Sequence, residues 1–154
     1  MRLTRVLFVC LGNICRSPTA HAVFRQKVKG SRFNIEIDSA GTAGYHIGAT
    51  PDKRSAKHGK ARGYDFSELY ARAVKPTDFE HYDFILAMDY SNYTDLQARC
   101  PAEFKSKIQL FLDFASSFPE HDEVPDPYYG GAKGFEYVLD LVEDASNGLL
   151  KRLS

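Results

Sequence analysis

Short apolar stretches of two kinds alternate along the chain. The first kind is rich in β-branched and aromatic residues and predicts strands at residues 2–9, 33–38, 82–88 and 107–111. The second kind repeats apolar positions at helical spacing and predicts helices at residues 18–28, 51–63 and about 134–153, with another helix after Asp89. Strands that alternate with helices are typical of a parallel sheet covered by helices on both faces. The pattern therefore predicts an α/β fold.

Length and composition fit one globular unit. The chain has 154 residues, of which 44% are hydrophobic, and this is enough for one sizeable core. No internal repeat, linker or low-complexity tract interrupts the alternation of strands and helices. We therefore predict a single domain over residues 1–154.

The charges and cysteines give no sign of a nucleic-acid or membrane partner. Twenty basic residues balance twenty acidic ones, whereas proteins that bind polyanions usually carry a basic excess. No apolar run reaches the length of a membrane span. Three cysteines, an odd number, argue against a secreted disulfide scaffold. We therefore predict a cytoplasmic protein that binds neither nucleic acid nor membrane.

The strongest chemical signal is the segment Val9-Cys10-Leu11-Gly12-Asn13-Ile14-Cys15-Arg16-Ser17-Pro18, which joins the first predicted strand to the first predicted helix. Gly12 and Asn13 tolerate the positive φ that a tight loop needs. Ser17 followed by Pro18 is typical of a helix N-cap and first helical residue. The inward-facing N–H groups of such a loop, together with the helix N-terminus, form a cradle for phosphate.

Cys10 and Arg16 bracket this predicted cradle. The N–H dipoles, the helix N-terminus and the guanidinium all favour the thiolate of Cys10 over the thiol. The planar guanidinium can also hold two oxygens of a phosphoryl group. The ordinary alternative is a buried cysteine at a strand end and a surface arginine, but it leaves the residues between them unexplained. We predict a phosphate monoester site with a nucleophile at its floor.

At these residues the chain resembles the low molecular weight protein tyrosine phosphatases, whose signature Cys-x5-Arg-Ser follows the first strand. Three other segments resemble family landmarks in the same order: Ser39-Ala40-Gly41-Thr42, Ala87-Met88-Asp89 and Asp126-Pro127-Tyr128-Tyr129. The resemblance covers nearly the whole chain. It implies a three-layer αβα fold with a four-stranded parallel sheet, a phosphocysteine intermediate, no metal or organic cofactor, and a tyrosine-phosphorylated protein as substrate.

The resemblance also implies roles for residues around the loop. Asp89 matches the aspartate that holds the loop arginine, and it could cap the following helix as well. Asn13 and Ser39 match residues that hydrogen-bond each other and keep the loop in shape. Ser17 matches the hydroxyl that contacts the nucleophilic sulfur and eases its departure. The loop residues expected to bind the phosphate are Leu11, Gly12, Asn13, Ile14, Cys15 and Ser17.

A tyrosine phenolate leaves more readily when an acid protonates it, and Asp126 is the candidate acid. It lies in a proline-bracketed aromatic loop that we expect to fold over the site. An aspartate between prolines is also common in turns, so it is the match to the family's Asp-Pro-Tyr loop that favours the acid. Tyr45, Tyr128 and Tyr129 are candidates for stacking on the phenyl ring, and Leu11 is a candidate side wall.

A second cysteine shares the loop with Cys10. Cys15 matches the family's second loop cysteine, so the resemblance implies that it captures oxidised Cys10 in a reversible disulfide. Otherwise Cys15 is a packed thiol beneath the loop. Cys100, at a predicted helix end, has no expected role.

Three other functions stay open. Arginine phosphatases of this fold are similar throughout but carry threonine where this chain has Ile14, so Ile14 favours tyrosine. Thiol-dependent arsenate reductases share the loop but add a pair of relay cysteines in the region that corresponds to residues 75–93, which has none here. A non-catalytic phosphate-binding module with a Cys10–Cys15 redox switch would have the same cradle, but it would not need Asp126.

Overall fold

Strand β1 (Thr4–Cys10) lies inside a four-stranded sheet in the computed structural model, which describes residues 3–117, 122–128 and 131–153. Its residues 6–10 are buried, which explains why the sequence shows a continuous apolar run there. The other strands are β2 (Ile35–Gly41), β3 (Phe84–Ala87) and β4 (Ile108–Leu110). The order is β2-β1-β3-β4 and each neighbouring pair is parallel. The predicted four-stranded parallel sheet is confirmed.

Helices cover both faces of this sheet because successive side chains of a strand point to opposite sides. Val6 and Phe8 of β1 pack into a core with helices α1 (Arg16–Lys29) and α5 (Ala132–Arg152). Leu7 and Val9 pack into a second core with α3 (Pro76–His81) and α4 (Tyr90–Arg99). Helix α2 (Lys53–Ala61) lies against α1 and α5. The three-layer αβα prediction is confirmed.

The element boundaries differ from the predicted ones where tertiary contacts decide them. Strand β2 continues three residues beyond residue 38 because Ser39, Ala40 and Gly41 pair with Phe8, Val9 and Cys10 of β1. Helix α2 is two residues shorter at each end than predicted. Helix α3 was not predicted, since its six residues are too few to show helical periodicity.

The start of α1 also differs from the prediction. Its first residue is Arg16, with Cys15 at the N-cap position, and no side chain caps it. Ser17 therefore lies within the first turn, and the prediction that it is the N-cap is wrong. No helix in the described ranges has both the length and the apolar content needed to span a membrane.

Candidate active site

A cavity of about 420 Å³ opens where β1 ends and the following loop begins. Ligands of open parallel sheets collect at this carboxyl edge. Residues from three separate parts of the chain line the cavity: Cys10, Leu11, Gly12, Ile14, Cys15, Arg16, Tyr45, His46, Asp126 and Tyr128. The fold thus brings together the loop that follows β1 and an aspartate more than a hundred residues later in the chain.

The sulfur of Cys10 lies at the buried end of this cavity. Only 3% of the residue is exposed. The backbone N–H of Asn13 donates to Sγ at 3.3 Å, and the Ser17 hydroxyl lies 3.0 Å from the same atom. Both contacts come from polar groups that can stabilise negative charge on sulfur. Ser17 is therefore placed where the family resemblance implied.

Asn13 gives the loop its shape. It is the one residue of the loop with positive φ, at 57°, and Gly12 does not share this conformation, contrary to expectation. The Asn13 side-chain amide donates to Ser17 Oγ at 2.7 Å, and its oxygen accepts from the backbone N–H of Arg72 at 3.0 Å. These bonds satisfy both ends of a side chain that is 2% exposed.

Ser39 does not hydrogen-bond Asn13, so that expectation is wrong. Its hydroxyl pairs with Nδ1 of His21 at 3.1 Å instead, because β2 extends far enough to place Ser39 opposite α1. Both residues are buried, and burial lowers the pKa of His21 to about 4. Ser39 therefore supports the helix that follows the loop rather than the loop itself.

Arg16 joins the phosphate loop to the two segments that face it. It is 4% exposed, and Nη1 donates to Asp89 Oδ2 at 2.6 Å and to the carbonyl oxygen of Val124 at 3.1 Å. Nη2 lies 3.9 Å from Asp126 Oδ2. Burial alone would lower the pKa of Arg16, but the charges of Cys10 and Asp89 hold it above its ordinary value. The guanidinium is thus fixed in its charged form beside the sulfur.

Asp89 has both of its predicted contacts. One carboxylate oxygen accepts from Arg16, and the other accepts from the backbone N–H of Asn92 at 2.7 Å. The second contact caps the N-terminus of α4. The start of α4 therefore fixes the carboxylate that orients the arginine.

Asp126 approaches the site from a loop that is anchored just before it. Val124 is fully buried, and its N–H donates to the carbonyl oxygen of Met88 at 2.7 Å, directly after β3. Asp126 itself keeps 47% of its side chain exposed, and Oδ1 accepts from the N–H of Tyr128 at 3.0 Å. Oδ2 faces Arg16. The carboxylate therefore lies at the cavity wall with one side open to solvent.

The walls of the cavity include three of the four predicted aromatic and apolar residues. Leu11, Tyr45 and Tyr128 line it and are 43%, 76% and 39% exposed. Tyr129 lies outside the described residues. His46, which the sequence did not single out, is a further wall residue, and its Cδ2 would lie 3.0 Å from a Cβ placed on Gly12. A glycine at position 12 leaves room for this imidazole.

Arg54 is another residue that sequence analysis missed. Its guanidinium lies 5.1 Å from the centre of the Tyr128 ring and 4.9 Å from that of Phe135. Asp52 accepts from Nε and Nη2 of the same guanidinium at 3.2 and 3.0 Å. The backbone N–H of Asp52 in turn donates to the carbonyl oxygen of Ile14 at 2.8 Å. The start of α2 therefore connects the phosphate loop to the aromatic wall.

Cys15 lines the same cavity as Cys10 and is 5% exposed. Burial raises the pKa of the Cys15 thiol to about 12, so it is a thiol at neutral pH. All three cysteines are unpaired. Cys100 belongs to the core on the opposite face of the sheet. Within the described ranges, no group of three or more His, Cys, Asp or Glu side chains could hold a metal ion.

Comparison with known proteins matches this chain to one protein family. A family model described as low molecular weight phosphotyrosine protein phosphatase matches residues 5–154. The low molecular weight phosphotyrosine protein phosphatase of Schizosaccharomyces pombe is 42% identical over 154 residues, which cover 97% of each chain. A protein tyrosine phosphatase from Entamoeba histolytica, solved with Hepes in its active site, superposes with a TM-score of 0.94 at 46% identity and covers 97% of this chain and 96% of its own.

The comparisons also include a relative with another activity. The Drosophila arginine phosphatase superposes with a TM-score of 0.88 at 30% identity, and the match covers 97% of each chain. The fold alone therefore does not decide between the two substrates. In this chain Ile14 lines the cavity. This is the position at which arginine phosphatases are expected to carry threonine.

Proposed function

Because this chain belongs to the low molecular weight phosphotyrosine protein phosphatase family, we propose that it hydrolyses phosphotyrosine in proteins through a phosphocysteine on Cys10. One observation carries this proposal: the Cys10 sulfur, the Arg16 guanidinium and the Asp126 carboxyl group line a single cavity. A non-catalytic phosphate-binding module with a Cys10–Cys15 redox switch would use the first two groups but would not need an acid.

In the first step, the Cys10 thiolate attacks the phosphorus of the bound monoester. A phosphorus–sulfur bond forms as the phosphorus–oxygen bond to the tyrosine breaks. Arg16 holds two oxygens of the transferring phosphoryl group, and the loop N–H groups hold the remaining charge. Asp126, protonated before the step, gives its proton to the departing phenolate oxygen. The products are a neutral tyrosine and the phosphocysteine.

In the second step, water hydrolyses the phosphocysteine. Asp126 is now a carboxylate and takes a proton from the attacking water. The phosphorus–sulfur bond breaks, and the Ser17 hydroxyl, 3.0 Å from the sulfur, donates to the departing thiolate. Inorganic phosphate leaves with Asp126 protonated again. The same carboxyl group thus serves as acid and then as base.

Substrate choice depends on the cavity walls in this proposal. Tyr45, Tyr128 and Tyr129 would contact the phenyl ring, and Leu11 would form a side wall. Ile14 offers an apolar surface where arginine phosphatases carry threonine, which supports tyrosine over arginine. A phosphotyrosine-bearing protein is therefore the proposed partner.

We further propose that Cys15 protects the nucleophile. Peroxide would oxidise the Cys10 thiolate to a sulfenic acid, the Cys15 thiol would displace water from it, and a thiol reductant would restore both thiols. A thiolate nucleophile works best in a reducing compartment, which supports a cytoplasmic location. The family match over residues 5–154 supports a single catalytic domain.

Turnover of p-nitrophenyl phosphate by reduced protein, in the presence of a metal chelator, tests this function. Cys10→Ser should abolish turnover, whereas Cys100→Ser, which changes a buried cysteine of the opposite core, should retain it. Asp126→Ala should lower kcat/KM, which reports the first step, by about 10²-fold for phosphotyrosine and much less for p-nitrophenyl phosphate, because nitrophenolate leaves without a proton. The exposed Asp113 offers a matched control, Asp113→Ala. An equal loss of kcat/KM for both substrates would remove Asp126 from the role of acid.

A further inference from the structure

A second concave surface lies beside the active-site cavity and is larger than it. This groove has a volume of about 730 Å³ and runs along α2. Ala56, Tyr64 and Phe66 form its apolar floor. Phe66 is 9% exposed and packs so closely on the helix that a Cβ at Gly59 would lie 2.3 Å from its ring. The groove therefore has a well-packed floor of the size of a ligand-binding site.

The rim of the groove is positively charged. Lys53, Lys57 and Lys60 line it, and their spacing places them along one side of α2. All three are exposed, and none forms an ion pair with another residue in the ranges that the structure describes. Among the described residues that line the groove, Asp65 is the one carboxylate, and it accepts a hydrogen bond from the N–H of Ser67. A chain with balanced total charge thus has a local excess of cations here.

The start of α2, its first turn, lies between the groove and two residues that line the active-site cavity, Ile14 and Tyr128. On one side of this turn, Thr50, Pro51 and Lys53 line the groove. On the other side, Asp52 bonds to Ile14 of the phosphate loop and Arg54 covers the Tyr128 ring. A polypeptide whose phosphotyrosine enters the cavity therefore has only this turn to cross before it reaches the groove.

We propose that the groove binds an acidic segment of the protein substrate that carries an apolar side chain, at some distance along the chain from the phosphotyrosine. This inference rests on the proposed function. Acidic side chains would pair with the three ammonium groups, and the apolar side chain would lie on the floor formed by Tyr64 and Phe66. A lipid surface fits less well, because a flat membrane does not fill a recess and three lysines are few for stable attraction.

Two synthetic phosphotyrosine peptides of equal length test the proposal. Each carries about six residues on both sides of the phosphotyrosine, which span about 20 Å when extended, and a leucine among them. One peptide has glutamates at the remaining positions, and the other has serines. The wild-type protein should hydrolyse the glutamate peptide with the higher kcat/KM, and this preference should shrink as salt is added.

Lys57→Glu should lower kcat/KM for the glutamate peptide by about fivefold. It should leave the serine peptide and p-nitrophenyl phosphate unchanged, because neither places charge in the groove. Lys105→Glu makes the same charge change at an exposed lysine away from the groove and should leave all three substrates unchanged. Lys60→Glu repeats the test one helical turn further along α2.

The outcomes separate this inference from the proposed function. Loss of p-nitrophenyl phosphate hydrolysis in the wild-type protein would contradict the proposed function itself. Normal hydrolysis with no preference for the glutamate peptide, or equal effects of Lys57→Glu and Lys105→Glu, would overturn the groove proposal alone. Lys57-dependent binding to vesicles of phosphatidylcholine and phosphatidylserine, without any peptide preference, would also overturn it and assign the groove to a membrane surface.

Discussion

The phosphate loop and the Asp126 loop meet in one cavity, but the protein builds them in different ways. The phosphate loop is eight residues from Cys10 to Ser17, and buried hydrogen bonds among these residues hold it, with further bonds from the backbone N–H groups of Arg72 and Asp52. Besides the bond from the Tyr128 N–H to Asp126, the Asp126 loop has its anchors far away in the chain: the N–H of Val124 donates to the carbonyl oxygen of Met88, and Arg16 faces Asp126. Arg16 is 4% exposed, whereas the side chain of Asp126 is 47% exposed.

This difference matches the tasks that we assign to the two loops. Donors that stabilise phosphoryl charge act best when they are fixed before the reaction. A group that first gives and then takes a proton needs contact with both the leaving group and water. Burial of Arg16 and exposure of Asp126 are therefore expected on chemical grounds. Three substitutions test this difference. Arg16→Lys changes the contact between the two loops, His21→Gln changes the surroundings of the phosphate loop, and Arg54→Ala changes those of the Asp126 loop.

Arg16→Lys should have the largest effect, because Arg16 contacts both loops. Lysine cannot hold two phosphoryl oxygens in a fixed plane, nor can it reproduce the contacts to Asp89 and Val124. We expect kcat/KM to fall by about 10³-fold for phosphotyrosine and p-nitrophenyl phosphate alike. Arg32→Lys, at an exposed arginine, is the control. A loss restricted to phosphotyrosine would mean that Arg16 serves the acid loop rather than the phosphate.

His21 allows a test of the buried support near the phosphate loop. Burial lowers its pKa from 6.5 to about 4, so the unfolded chain binds a proton between these values while the folded protein does not. The free energy of unfolding should therefore fall as pH drops from about 6.5 to about 4, by about 3 kcal/mol from this group.

Urea unfolding at pH 7 and pH 4.5 measures this contribution. His21→Gln should reduce the loss of stability between the two pH values. The exposed His81 has a carboxylate partner, Glu36, and His81→Gln should not reduce the loss in this way. If the free energy of unfolding falls equally in His21→Gln and in the wild-type protein, this prediction is wrong and the burial of His21 does not contribute to the loss of stability in acid.

Arg54→Ala should have the smallest effect, because it removes lateral support from the Asp126 loop without touching the phosphate loop. Tyr128 loses a cation–π partner. Because the N–H of Tyr128 donates to Asp126, the position of the Asp126 carboxylate becomes less well fixed. We expect kcat/KM for phosphotyrosine to fall by about threefold and kcat/KM for p-nitrophenyl phosphate to stay unchanged, because only the first step differs between the two substrates. This ratio identifies Arg54 as a positioning residue; a proportional loss on both substrates would contradict that role.

The same contrast explains what the sequence could predict of the fold. Strands and long helices carry periodic apolar patterns over many residues, so the sheet and α5 were predicted. Strand β2 was predicted too short because its last residues are held by pairing with β1. Such pairing produces no pattern in the neighbouring sequence. Helix α3 depends on Pro76 and the Asp78 carboxylate at its start, not on periodicity.

Site prediction followed the same division. The phosphate loop is one continuous segment, so its chemistry was visible in adjacent residues, including Cys10 and Arg16. Asp126 needed the resemblance to a known family, because no local pattern shows which distant loop reaches Arg16. His46 and Arg54 were missed, since no local pattern shows that His46 reaches the cavity wall or that Arg54 lies over the Tyr128 ring. The prediction of a hydrogen bond between Asn13 and Ser39 was wrong because β2 places the Ser39 hydroxyl against His21.

The central claim is that Cys10 carries the phosphoryl group between two steps that Asp126 assists. Mass spectrometry of rapidly quenched Asp126→Ala protein during p-nitrophenyl phosphate turnover tests it most directly, because this variant should form the intermediate and hydrolyse it slowly. The account predicts one added phosphoryl group on the Cys10 peptide, and none when Cys10→Ser is combined with Asp126→Ala. Continued turnover with no phosphorylated Cys10, or a phosphoryl group on another residue, would contradict it.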